Sequence, residues 1–289
     1  MSASAKTHDA HAPASETSVA ALRDLLRGRR VSVLTGAGVS VDSGIPDYRG
    51  PTTRHIARNP VKHDAFVRDA EARRRYWSRA SRGYAAVGRA RPNPAHAALA
   101  ALEARGLVAG LITQNVDGLH QAAGSRRVIE LHGTLHRVGC LTCGATHARD
   151  AVQAQIVEEN PGWLGAAAGV AAIAPDGDAE VAAREYAAFR APRCRACGRG
   201  DLMPDVVFFG GSVPKPRVAA AMRLVEGADA LLVVGSSLTV FSGYRFVRAA
   251  ARLGLPIAIV SLGPTRGDKH ATLKIDAPVG EVLPGLVAP

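Results

Sequence analysis

An α/β fold, built on a parallel sheet with helices on both faces and joined by a smaller domain made of insertions, is what the sequence predicts. Three observations predict it. The stretch VSVLTGAGVS at 31–40 runs from β-branched residues straight into glycines, as a buried strand does when it ends in a phosphate-approaching loop. Beyond residue 202, short apolar runs alternate with helical periodicity, which argues for a parallel sheet covered on both sides. Between 139 and 201 that alternation breaks down around two C-x-x-C pairs. The reading is therefore a Rossmann-like parallel sheet plus a smaller zinc-binding and helical domain formed by insertions.

The elements follow in order. An amphipathic helix opens near Ser18, with Val19, Leu22, Leu25 and Leu26 on one face, and Gly28 ends it. Residues 31–34 are a buried strand. Residues 54–90 are Arg-rich, carry Phe66, Tyr76, Trp77 and Tyr84, and read as helices without intervening strands. PNPAHAALAALEARG restarts as a helix after its prolines, LVAGLITQN is a second strand and VIELHG a third. After the loop-rich insertion come a strand at DVVFFG, a helix at 218–226, a strand at ALLVVGSS, a helix at 244–253 and a strand at PIAIVSLG. Residues 19–50, 93–138 and 202–287 then form the large domain, 51–92 and 139–201 the small one, and 1–18 a disordered tail.

Composition narrows the function classes. The chain carries a formal charge of +11, but its basic residues are mostly Arg spread along the sequence rather than gathered in a stripe. That pattern argues against a nucleic-acid binder, although a diffuse positive field favours acidic partners such as a pyrophosphate. Residues 162–175 are charge-free but shorter than the roughly 20 residues a bilayer span needs. The first eighteen residues lack an apolar core and contain Asp9 and Glu16, so neither a secretory signal nor a transit peptide is read there, and a cytoplasmic monomer is expected.

Cys140, Cys143, Cys194 and Cys197 are all the cysteines the chain has. Two C-x-x-C knuckles complete a tetrahedron around zinc, and four thiolates leave no open position, so the metal is structural. A redox pair or a set of unbridged thiols is the competing reading. The fifty residues between the pairs exceed a common zinc-ribbon spacing and must hold substructure of their own.

The chemistry is then expected at the strand ends. Gly36, Ala37 and Gly38 follow the first strand; a dinucleotide fingerprint would place a third glycine near 41, where Val41 stands. TQNVDGLH (113–120), LHG (131–133) and GSS (235–237) close three further strands, and carboxyl ends of parallel strands converge on one crevice. These motifs, with GAGVSVDSGIPDYRG, the paired C-x-x-C and GSSLTV, occur in one order that resembles the sirtuin family of NAD-dependent protein lysine deacylases. The resemblance covers residues 20–287. RYWSR, APDGD, PDVVFFG, GSSLTVFSGYRF and GPTRGD look most like its class II branch.

The resemblance implies that NAD is consumed as a co-substrate: nicotinamide leaves and the acyl group of an acylated protein lysine ends on ADP-ribose. His132 matches the general base, its imidazole able to accept a proton at neutral pH; Asn115 and Asp117 complete the catalytic set. The resemblance places Gly36, Ala37 and Gly38 at the pyrophosphate and Asp47, Tyr48 and Arg49 on a closing segment. Gln114, Asn115 and Val116 lie at the ribose, Asp117 at the nicotinamide amide, and Gly235, Ser236 and Ser237 near phosphate or ribose. Ser261, Leu262, Gly263 and Val279 flank adenine. His120 closes a matching motif but reads as structural.

Val207 and Phe209 match acyl-lysine tunnel positions and would share a strand face; ordinary sheet core is the plainer reading of either. Tyr76 and Arg79, one helical turn apart, would bind the carboxylate of a dicarboxylic acyl group, whereas Arg73, Arg74 and Arg75 around them suggest a solvated face. Two positions depart from the family pattern: Ser261 stands where Asn is common, and Gly211 where Glu is common. A protein mono-ADP-ribosyltransferase using the same site, and a non-catalytic NAD-sensing or zinc-ribbon nucleic-acid-binding protein, are the alternatives.

Overall fold

Ser15, not Ser18, starts the first helix: its hydroxyl accepts from the Ser18 N–H at 3.2 Å and caps α1 (Glu16–Leu26). The computed structural model describes residues 15–48, 53, 59–164, 174–179 and 183–287, so Arg49 and most of the expected tail lie outside the described residues. The chain continues through β1 (Val31–Thr35), a 3-10 helix (Ala37–Ser43), α2 (His63–Arg68), α3 (Ala70–Arg89), α4 (Pro94–Ala104), β2 (Val108–Thr113), α5 (Leu119–Ala122) and β3 (Val128–Glu130). Then come β4 (Gly133–Cys140), β5 (Thr146–Ala148), α6 (Arg149–Glu159), α7 (Ala183–Tyr186) and β6 (Leu202–Val206). It closes with α8 (Lys215–Glu226), β7 (Ala230–Val234), α9 (Phe241–Arg252), β8 (Ile257–Val260), β9 (Leu273–Ile275) and α10 (Val279–Val282).

Six strands pair in parallel in the order β3-β2-β1-β7-β8-β9. The order reverses between β1 and β7, and a crevice opens at such a switch point. Both faces are buried, which explains the unbroken apolar runs. Along β7, Ala230, Leu232 and Val234 join one core with α1, α4 and α10, while Leu231 and Val233 join another with α8 and α9. The two-residue period that hides in ALLVV is thus a division between two cores.

The expected strand at DVVFFG is displaced. Pairing begins earlier, at β6, and joins an antiparallel sheet of order β5-β4-β6 rather than the parallel one. Gly133 lets the two strands approach this closely: its φ is +84°, and a Cβ there would stand 1.9 Å from the Asp205 carbonyl oxygen. Val207 still donates its N–H to the His132 carbonyl at 2.8 Å, after which the chain turns at Gly210, φ +79°. Val207 and Phe209 therefore do not alternate along a strand. Residues 133–138 and 202–206, expected within the large domain, are strands of this second sheet.

A third core, largely aromatic, holds that sheet to α2, α3 and α6. Phe66, Tyr76, Trp77, Val152, Ile156 and Phe208 meet in it, and the Trp77 indole donates to the Leu202 carbonyl at 3.0 Å.

Candidate active site

The loops after β1 and β7 lie against each other at the switch point. Gly36 donates its N–H to Val234 O at 3.1 Å and Gly38 donates to Gly235 O at 2.8 Å. A Cβ on Gly36 would meet Ser236 Cβ at 2.7 Å, and one on Gly38 would meet Gly235 O at 2.8 Å. The glycines are thus required by the neighbouring loop, before any ligand approaches. The segment after Gly36 is a seven-residue 3-10 helix rather than the α-helix expected from a nucleotide-binding strand. Leu238, at φ +56° and buried, is the one non-glycine among the described residues in the left-handed region, and it bends the GSS loop round to α9.

A cavity of about 1180 Å³ spans this point. It is larger than the upper end, about 1,000 Å³, of ordinary small-ligand pockets and so has room for two ligands. Of the residues singled out in the sequence, Gly36, Ala37, Gly38, Asp47, Tyr48 and Tyr76 line it. So do Gln114, Asn115, Val116, His132, Val207 and Phe209, and, from the far strands, Gly235, Ser236, Ser237, Ser261, Leu262, Gly263 and Val279. Backbone donors from two adjacent strand ends, a polar middle and an apolar end suit a dinucleotide lying beside an extended acyl chain.

His132 follows β3 and faces the cavity. Its Nδ1 lies 2.9 Å from the Gln114 carbonyl oxygen and its Nε2 lies 2.7 Å from Ser242 Oγ. A carbonyl only accepts, so Nδ1 carries the proton and Nε2 keeps its lone pair. Burial lowers the imidazole below its ordinary value; the Gln114 carbonyl opposes this and the Arg217 charge reinforces it. Neutral His132 at pH 7 is therefore a proton acceptor at Nε2.

Asp117 does not line the cavity. It is buried, with Oδ2 accepting from Ser40 Oγ at 2.7 Å and Oδ1 from the Leu119 N–H at 3.0 Å. Ser40 also accepts from Asn115 Nδ2 at 3.0 Å, so Asp117 acts on the cavity wall through Ser40 and Asn115. Gln114 is held likewise, donating from Nε2 to Ser236 Oγ at 2.8 Å. His120 is buried, its Nε2 3.0 Å from Thr35 Oγ1 and its ring 4.8 Å from that of His96. Burial pushes it down to about 3, as expected of a structural histidine.

Tyr76 and Arg79 part company. Tyr76 reaches the cavity, and burial pushes its phenol far up. Arg79 does not reach it: Nε pairs with Asp178 at 2.7 Å and donates to the Ala179 carbonyl at 3.0 Å. The expected carboxylate clamp is thus closed on a carboxylate of the chain itself. Asp176 and Asp178 line the cavity at this end. Sequence reasoning gave them no role, nor Ser40, Ser242 or Arg245, although Ser40 lies in the glycine-loop motif, Asp176 and Asp178 in APDGD, and Ser242 and Arg245 in GSSLTVFSGYRF.

The four cysteine sulfurs lie within 4.8 Å of one another. Cys140 and Cys197 Sγ are 3.9 Å apart and Cys143 and Cys194 Sγ 3.8 Å. These are the edges of a tetrahedron with metal–sulfur bonds of about 2.3 Å, and far too long for disulfides. A Cβ on Gly200 would strike Cys140 Sγ at 2.2 Å, so the knuckle demands glycine. The Cys143 N–H, donating at 3.4 Å, is the main cause of a Cys140 thiol held well below its ordinary value. His147 Nε2 stands 3.3 Å from Cys194 Sγ and supports the site from outside. The donor set fits zinc.

Comparison with known proteins agrees with this geometry. Residues 36–242 match the family described as the Sir2 family. A Mycobacterium avium protein named NAD-dependent protein deacetylase 1 is 54% identical, covering 90% of this chain and 91% of its own. A Streptomyces coelicolor protein of the same name is 49% identical, covering 96% and 91%. A solved structure described as "Sir2-p53 peptide-NAD+" superposes with a TM-score of 0.73 at 33% identity, covering 91% of this chain and 94% of that one.

Proposed function

The chain belongs to the Sir2 family, and from that premise we propose that it is an NAD-dependent protein lysine deacylase. Zinc serves as a structural ion and NAD as co-substrate. The observation that carries the reading is His132: a neutral base, tautomer fixed by Gln114, in a cavity that also holds both glycine loops and an apolar end. NAD supplies the glycosidic bond whose cleavage frees nicotinamide and lets the acyl oxygen attach to the ribose.

The chain's own residues do the rest. Backbone N–H groups of Ala37, Ser236 and Ser237 bind the phosphates, those of Gly36, Gly38 and Gly235 being used between the loops and strands; Asn115 and Val116 orient the ribose and amide, with Asp117 holding Asn115 through Ser40. Ser261, Leu262, Gly263 and Val279 receive the adenine, while Tyr76, Val207 and Phe209 receive the acyl-lysine. His132 takes the ribose hydroxyl proton at Nε2. Asp47 and Tyr48, which line the cavity, belong to the segment that covers the site.

With Arg79 spent on Asp178, a carboxylate-ended chain would meet Asp176 and Asp178, so acetyl peptides are preferred over glutaryl ones. No helix among the described residues is long and apolar enough to cross a membrane. We read the enzyme as a cytoplasmic monomer of the class II branch, with the NAD site on the parallel sheet and the zinc on the insertions.

The test is a panel of acyl-lysine peptides incubated with the purified protein and labelled NAD. Nicotinamide release that depends on acyl peptide, and falls about 10²- to 10⁴-fold in His132→Ala, is expected. Label left on protein instead of free acyl-ADP-ribose would overturn deacylation in favour of ADP-ribosyl transfer.

A further inference from the structure

Ser242 stands in the first turn of α9, where a serine ordinarily spends its hydroxyl on the helix's own backbone. Here α9 has no side-chain cap. The Ser242 hydroxyl goes 110 residues back along the chain, to His132 Nε2 at 2.7 Å. The same turn touches the other side of the base. A Cβ at Gly243 would stand 2.4 Å from Gln114 Oε1, so α9 packs against Gln114, whose backbone carbonyl accepts from His132 Nδ1. The imidazole is therefore gripped at both nitrogens, by Gln114 and by the α9 turn packed on it.

We propose that Ser242 is a positioning residue for His132, its hydroxyl holding Nε2 at the cavity wall as the accepting nitrogen. The two states of the base use that hydroxyl differently. In the ligand-free protein neutral His132 accepts the Ser242 O–H at Nε2, a place the ribose hydroxyl takes when it delivers its proton. When Nε2 is protonated, the hydroxyl rotates and its oxygen accepts from Nε2–H, and this charge-assisted bond is the stronger of the two. Ser242 thus keeps up the proton affinity of a base that its other surroundings weaken.

Arg217 on α8 bears on His132 and itself pairs with Asp205 of β6 at 3.6 Å. Arg245, one turn beyond Ser242 on α9, lines the same cavity. Neither supplies an acceptor for Nε2–H. Replacing Ser242 removes the acceptor and leaves the two cations in place.

The assignment rests on His132 being the base of the proposed reaction, so its test uses the ligand-free protein. In ¹⁵N-histidine spectra, the parent should show His132 protonated on Nδ1 with a hydrogen-bonded Nε2. In Ser242→Ala the Nε2 resonance should move toward that of an unbonded imidazole nitrogen and the titration fall by about one pH unit. Ser242→Thr should restore both. With NAD and acetyl peptide, Ser242→Ala should lower kcat about tenfold with KM for NAD near that of the parent. A His132 titration and Nε2 shift in Ser242→Ala indistinguishable from the parent overturn the assignment. Those spectra decide it whether or not the protein turns over NAD, so failure of the deacylase reading registers separately, in the peptide assay.

Discussion

The parallel sheet and the zinc-bearing sheet solve the problem of stability in different ways. In the first, β1, β2, β7 and β8 are buried along their whole length and nearly every contact is aliphatic. In the second, β5 is exposed or half-buried, and the strands lean on aromatic rings, four thiolates and a buried cation. Arg149 is 2% exposed, stacked 4.2 Å above Tyr84 and 5.2 Å from Trp77, and burial pulls its guanidinium down to about 10. One sheet is held by the removal of apolar surface from water, which is non-directional. The other adds to its own apolar core a few directional contacts whose loss has no substitute. The difference teaches that this molecule should fail in parts.

Removing the metal should break the comparison open most widely. Structural zinc binding contributes on the order of 10 kcal/mol in small zinc domains. Chelation, or Cys140→Ser, should therefore release amide protection across β4 and β6 while β1 and β7 stay protected, as hydrogen exchange followed by mass spectrometry would show. Uniform loss in both sheets would mean that they fold as one unit. Phe246→Ala strikes the opposite side: that ring is fully buried under the parallel sheet, and its loss should cost about 3–5 kcal/mol. Urea unfolding should move as a whole, with zinc retained until the main transition.

The smallest effect is one of pH. His120 sits near 3 when folded, and burial also lowers His96. Between about 3 and 6.5 the unfolded chain binds the proton that folded His120 refuses, so stability falls as pH falls through that window. The slope from one such group is at most about 1.4 kcal/mol per pH unit. Urea midpoints measured from pH 7.5 to 5 should decline in the parent and decline less in His120→Asn.

How much of this was legible in the sequence follows the same division. Runs such as ALLVV and LVAGLIT are apolar because both faces of a parallel strand are covered, so the sheet could be read from composition alone. The cysteine spacing disclosed its tetrahedron, because ligand geometry leaves a short-range trace. DVVFFG misled, since its apolar residues face a cavity and a pairing partner 70 residues earlier, and no local period records that. Arg79 misled for a related reason: helical spacing puts it on the face of Tyr76, but Asp178, a hundred residues on, is what it meets. Ser242 lies inside GSSLTVFSGYRF, yet nothing local marked its role, because a serine at a helix start is ordinary until its partner is known.

One feature of the backbone ties the two sheets into a single instrument. Strand β4 begins at Gly133, immediately after the imidazole, and ends at Cys140 on the metal. The strand is irregular between Gly133 and Val138, and its ends face Val206 and Leu202, four residues apart on β6, so a short bulged link joins the metal at one end to the base at the other. An ion that never meets the reactants is therefore the fulcrum from which the proton acceptor is aimed.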